Sequence, residues 1–184
     1  MAAVTATTGR EQVVLLGDDR NPIGVADKAT VHTTDTPLHL AFSCHVLDPS
    51  GRLLMTRRSL SKVTWPGVWT NSACGHPAPG EGLEDAVHRR VEQELGLRLR
   101  DVRAVLPDFA YRATDASGVV ENEVCPVFVA RTQDAPSPDP AEVGEWRWTD
   151  PDDAVLVARH APWTLSPWSV LQLVELDAAG HLRA

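Results

Sequence analysis

Lysine is nearly missing from this sequence: two residues, Lys28 and Lys62, stand against 15 arginines. A lysine kept in such a background invites a role, although two ordinary surface lysines fit the composition equally well. Cysteine is also scarce. Cys44, Cys74 and Cys125 are odd in number and far apart, which argues against a disulfide scaffold and for reduced thiols. No apolar run approaches the roughly 20 residues that cross a bilayer, so no membrane insertion is expected. Residues 1–10 lack the apolar block of a secretory signal and read as a flexible tail on a cytoplasmic protein. Positive charge is in deficit too. The net charge of −8 argues against a nucleic-acid-binding face. Internal repeats and low-complexity tracts are absent.

What remains is an ordinary globular composition, 43% hydrophobic over 184 residues, which predicts one domain over residues 11–184. Gln12 to Leu16 reads as a strand, and Asp18 to Pro22 as a turn. The apolar run Leu38 to Leu47 predicts one buried strand, turned by Asp48-Pro49-Ser50-Gly51 into a hairpin with Arg52 to Arg57. Val102 to Ala113 and Val119 to Arg131 read as two long strands joined at residues 114–118. Glu145 to Trp148 predicts a short strand, and Asp152 to Arg159 a short helix. Ser166 to Leu176 predicts a final helix, with Ser166 as N-cap and Pro167 at its first position. The fold class is mixed α/β (α+β), mainly antiparallel strands with helices on the sheet faces.

The clearest helix spans Leu83 to Leu95. Leu83, Ala86, Val87, Val91 and Leu95 make one apolar stripe, and Gly96 is placed to end it. Glu94 falls beside the stripe, able to face a pocket. The helix lies inside a 22-residue span, Gly75 to Gly96, whose spacing resembles the Nudix box. That box is a loop–helix–loop whose acidic side chains hold a divalent metal against a diphosphate. Two positions that are acidic in Nudix hydrolases carry Arg90 and Gln93 here. Just upstream, Cys74 and His76 add a thiol and an imidazole that a hydrolase does not require.

Glu121 and Glu123 are one residue apart in a predicted strand, so both carboxylates project from one face. They suit a cation, or a solvated strand end. His32 and His39 flank a short loop, and a lone histidine is more often a surface or satisfied core residue than a ligand. With His76 and the two carboxylates they make a candidate three-nitrogen, two-oxygen site. Imidazole with carboxylate suits zinc, manganese or iron(II) better than calcium. Arg57, Arg58 and Lys62 form a basic group that fits a solvated edge or a diphosphate.

These residues together resemble the type I isopentenyl-diphosphate isomerase family, itself built on the Nudix fold. The resemblance runs from about Gln12 to Leu176. It rests on His32 with Leu38-His39-Leu40-Ala41-Phe42-Ser43, and on Trp65-Pro66-Gly67-Val68-Trp69-Thr70-Asn71-Ser72-Ala73-Cys74-Gly75-His76-Pro77. Tyr111-Arg112-Ala113, Glu121-Asn122-Glu123-Val124-Cys125-Pro126-Val127 and Ser166-Pro167-Trp168 extend it. It implies a mixed sheet sandwiched by helices, and interconversion of isopentenyl and dimethylallyl diphosphate for isoprenoid synthesis. It implies that His32, His39, His76, Glu121 and Glu123 bind one Mn2+ or Zn2+ ion, while Glu94 and the Cys74 backbone carbonyl hold Mg2+. Lys28, Arg58, Lys62 and Arg90 would take the diphosphate. Cys74 and Glu123 would transfer protons, Tyr111 would support Glu123, and Trp168 would face the carbocation.

A Nudix hydrolase acting on a nucleoside diphosphate derivative is the alternative that Arg90, Gln93, Cys74 and His76 oppose. A silent binding domain is opposed by the full set of expected positions. A monomer and a homodimer stay equally open.

Overall fold

The protein is described from a computed structural model covering residues 11–182, so the tail expected over residues 1–10 lies outside the described residues. Strands and helices are numbered in chain order. The first sheet runs β2 (Pro22–Asp27), β1 (Gln12–Leu16), β3 (His39–Leu40), β10 (Val120–Val124), β9 (Ala110–Thr114). The second runs β12 (Val143–Thr149), β5 (Leu53–Arg58), β4 (Phe42–Leu47), β11 (Val127–Arg131), β8 (Arg100–Leu106). Two short strands, β6 (Trp69–Thr70) and β7 (Ala73–Gly75), add to β5 and β4. The helices are α1 (Lys28–Val31), α2 (Leu83–Leu95), α3 (Pro151–His160) and α4 (Pro167–Ala178). None of them is long and apolar enough to cross a membrane.

The second sheet is the expected mixed sheet between helices. Side chains alternate along β4. Phe42, Cys44 and Val46 join Val87, Val91 and Leu95 of α2 in one core, while Leu47 joins Leu53, Val129, Leu173 and Leu176 in the other. α2 follows its predicted bounds, with Gly96 at φ 65° as the left-handed cap whose N–H donates to the Glu92 carbonyl. Ser166 caps α4, its side chain accepting from Ser169 N.

The first sheet is the departure from the sequence reading. Each long strand predicted from an apolar run is two strands in different sheets. Leu38 to Leu47 divides at Ala41 into β3 and β4. Val119 to Arg131 divides at Cys125-Pro126 into β10 and β11, and Val102 to Ala113 divides at residues 107–109 into β8 and β9. Pro126 and Pro107 have no N–H to donate to a ladder, so a strand passing through them must break. The expected β4–β5 hairpin pairs only at Leu47 and Leu53, because β7 takes β4 further along and β6 takes β5. Only Pro22 of β2 falls in the turn expected over Asp18 to Pro22; the rest of the strand has no assigned element in the sequence, its largely exposed side chains carrying no alternating pattern.

These junctions position the site. β3 and β10 pair in parallel with Glu123 opposite His39, and β10 pairs β9 with Glu123 opposite Tyr111. One row across the first sheet therefore reads His39, Glu123, Tyr111. In the second sheet, β7 sets Cys74 opposite Ser43 of β4.

Candidate active site

A cavity of about 610 Å³ opens where the two sheets meet. His32, His76, Glu121 and Glu123 line it, with Cys74, Tyr111 and Trp168, and with Lys28, Arg58, Lys62 and Arg90. His39 and Glu94 lie just behind that lining, both buried. All thirteen site residues expected from sequence are therefore brought to one place.

His32, His39, His76 and Glu123 each aim one ligand atom into a cluster whose members lie within 4.8 Å of one another. His32 reaches it from the end of α1, a single turn capped by Asp27. His39 Nδ1 faces the Pro37 carbonyl at 2.9 Å, so that nitrogen donates and Nε2 keeps its lone pair toward the cluster. Nε2 of His32 and Oε2 of Glu121 lie 3.0 Å apart. Neither atom has a hydrogen-bond partner, and His39 Nε2 also has none. Buried, lone-pair-bearing atoms turned toward one another without hydrogen bonds fit a divalent cation between them. Glu121 reaches this group through His32.

Glu123 is 5% exposed. Burial pushes its carboxyl up, but with no ion bound, protons on His39 and His76 that face it outweigh burial and hold it well below the usual carboxylate range. His76 Nε2 lies 3.2 Å from Oε1, and the Tyr111 hydroxyl donates to Oε2 at 2.9 Å. Burial also pushes the Tyr111 phenol well up, so it stays a donor at neutral pH.

Cys74 reaches the cavity from β7. A Cβ on the next residue, Gly75, would lie 2.9 Å from both Arg90 Cγ and Phe42 Cζ. Only glycine lets β7 lie this close to α2. Burial pushes the Cys74 thiol up to about 11, against hydrogen bonds with Ser43 and Asn71 that lower it. At neutral pH it carries its proton.

The cationic wall is already occupied by anions. Arg90 Nη2 lies 2.6 Å from Glu94 Oε1 and 3.1 Å from Glu142 Oε1. Lys62 pairs with Glu142, and Lys28 with Glu11 at 2.6 Å. Burial pushes the Glu94 carboxyl up, whereas Lys62 and Arg90 override burial at Glu142 and hold it at about 2. Glu94 thus faces a guanidinium through Oε1 before any ligand arrives. Arg58 donates from Nε and Nη2 to the Thr64 carbonyl, and its guanidinium lies 5.6 Å from the Trp168 ring centroid.

Four supporting residues have no assigned part in the sequence reading: Ser43, Asn71, Gln172 and Glu142. Asn71 Oδ1 accepts from Thr70 Oγ1 at 2.8 Å, Trp168 Nε1 at 3.0 Å and Cys74 Sγ at 3.2 Å. Gln172 Nε2 donates to Ser43 Oγ at 2.9 Å, and Ser43 Oγ meets Cys74 Sγ at 3.3 Å. A polar asparagine three residues before a candidate catalytic thiol was the available signal. Nothing local marks Glu142, which follows a proline-rich loop.

Comparison with known proteins finds relatives over most of the chain. The family model of the NUDIX domain matches residues 37–170. The isopentenyl-diphosphate Delta-isomerase of Clavibacter michiganensis subsp. michiganensis is 64% identical over 163 residues, covering 89% of this chain and 84% of that protein. The isopentenyl-diphosphate Delta-isomerase of Frankia alni is 60% identical over 177 residues, covering 96% and 91%. Among solved structures, DR0079 from Deinococcus radiodurans matches with a TM-score of 0.64 at 20% identity, covering 85% of this chain and 92% of that one. At that identity the match speaks for the fold alone.

Proposed function

The chain belongs to the isopentenyl-diphosphate Delta-isomerase family, built on a Nudix domain, and from that membership we infer that it interconverts isopentenyl and dimethylallyl diphosphate. The observation that carries this reading is the meeting of Cys74 and Glu123 in a cavity whose rim holds Lys28, Arg58, Lys62 and Arg90. A thiol and a carboxylate can move protons at one end of a small substrate while cations hold a diphosphate at the other.

Shifting the double bond adds a proton to the terminal carbon and removes one from the neighbouring methylene. A tertiary carbocation, or a state resembling it, lies between. An unactivated alkene is a poor base, so both groups must be positioned and kept from water. Cys74 and Glu123 take these two roles and exchange them between the forward and reverse directions. Their resting states suit the exchange, since burial keeps the proton on Cys74 while His39 and His76 keep Glu123 ionised. Tyr111 holds Glu123 through Oε2 and steadies its charge as the proton moves. Trp168 presents its ring to the cation, a stabilisation of about 2 kcal/mol when desolvated.

His32, His39, His76, Glu121 and Glu123 would hold one divalent ion, Mn2+ or Zn2+ by the chemistry of the donors. Bound there, it supplies positive charge that fixes the Glu123 carboxylate and tunes its basicity. Glu94 and the Cys74 carbonyl would hold Mg2+, whose charge would offset that of the diphosphate. Arg90 also bears on the hydrolase alternative. It stands at a position where a Nudix hydrolase carries a carboxylate, so the residue there holds the diphosphate as a cation and cannot serve as a base that activates water.

Purified protein given isopentenyl diphosphate and magnesium is expected to form dimethylallyl diphosphate without releasing phosphate, as followed by NMR. Phosphate release with no isomer would sink the reading in favour of a hydrolase.

A further inference from the structure

Two of the four groups assigned to the diphosphate share one internal anion. Glu142 pairs with Lys62 and lies 3.1 Å from Arg90 Nη2. It sits just ahead of β12 on a well-held backbone: its N–H donates to the Asp139 carbonyl at 3.0 Å, and its carbonyl accepts from Ser59 N at 3.0 Å. The side chain is 23% exposed, so the carboxylate stays against the two cations yet keeps a path to water.

We propose that Glu142 is an internal competitor of the diphosphate, holding Lys62 and Arg90 in the empty site and reclaiming them as product leaves. The proposal rests on the assignment of Lys62 and Arg90 to the diphosphate. Two cations pointed into a low-dielectric cavity repel one another and attract any anion. A resident carboxylate relieves that repulsion between turnovers. Every incoming phosphate must displace it, so it weakens anion binding as a whole and shortens the life of the product complex. Glu11 stands against Lys28 in the same manner, but at 61% side-chain exposure water screens it more.

The test compares wild type with Glu142→Gln, which keeps the shape and removes the charge, and with Glu142→Ala. Glu145→Gln is the control. It removes the same charge from β12, where Glu145 pairs with half-buried Arg57. Inorganic pyrophosphate binding is measured by calorimetry at fixed magnesium, with isomer formation assayed in parallel and folding checked by thermal melts. The expected result is pyrophosphate bound about tenfold tighter by both Glu142 variants, a lower KM, and no change in Glu145→Gln. Weaker binding in the Glu142 variants would make Glu142 a positioning residue and overturn the proposal. Unchanged binding, or equal tightening in Glu145→Gln, would overturn it as well. A wild type that makes no isomer and binds no pyrophosphate would bring down the parent reading, an outcome distinct from an active wild type with indifferent variants.

Discussion

Asn71 Oδ1 accepts a hydrogen bond from Trp168 Nε1 at 3.0 Å, and Cys74 Sγ meets the same oxygen at 3.2 Å. One buried carbonyl thus sets both the thiol that handles a proton and the indole that faces the cation. Asn71 Nδ2 in turn donates to the Ala73 carbonyl at 2.8 Å and the Cys44 carbonyl at 3.2 Å, which pins the amide in place. Asn71→Ala should lower kcat by about 10²-fold, the scale on which small misplacements act, with little change in KM. The lost hydrogen bonds should also cost about 1–3 kcal/mol of stability. Steady-state kinetics and thermal melts check both. A rise in KM as large as the fall in kcat would move Asn71 to substrate binding.

Cys74→Ala and Glu123→Gln should each reduce turnover by about 10²–10⁴-fold, the range for loss of a general acid or base. Thermal melts should show both variants folded. Near-normal turnover in Cys74→Ala would refute its proton-transfer role.

The purified protein should carry about one tightly held divalent ion per chain at the histidine–glutamate cluster. Chelation should abolish isomerisation, and His39→Asn should lose the ion in elemental analysis. A metal-free, fully active enzyme would remove the assignment.

His45 predicts a pH effect on stability from a buried group outside the cavity lining. Its Nε2 meets Gln172 Oε1 at 3.0 Å, and its buried Nδ1 has no partner. Burial pushes its pKa from 6.5 to about 4, with Gln172 opposing the shift. Between those values the unfolded chain binds the proton and the folded chain does not. Stability therefore falls as pH drops from about 6.5 to about 4, by about 3 kcal/mol from this group. His45→Asn should flatten that part of the Tm–pH curve. An unchanged slope would place the acid sensitivity elsewhere.

The candidate site was unusually legible because its chemistry is compressed into short segments. Cys74 and His76 flank one glycine, Glu121 and Glu123 alternate on one strand, and Glu94 ends one helix. Glu142 stayed out of view because its importance comes from two cations on β5's loop and on α2, neither of them near it in sequence. The partial neutralisation of Glu94 by Arg90 was hidden as well. Positions four apart on a helix can pair, but whether an arginine turns to its neighbour or to the pocket depends on what else surrounds it.

By itself the sequence determined the elements whose signals are local. α2 begins and ends where its apolar stripe and Gly96 require, and α4 starts at Ser166-Pro167. An apolar run reports burial, though not the sheet in which burial occurs. Only the tertiary structure decided that Leu38 to Leu47 and Val119 to Arg131 each cross from one sheet to the other. It also decided the registers that align His39, Glu123 and Tyr111, and that set Ser43 opposite Cys74. The reason is physical: strand pairing is settled by hydrogen bonds and packing between residues far apart in the chain, and no short-range periodicity carries that information.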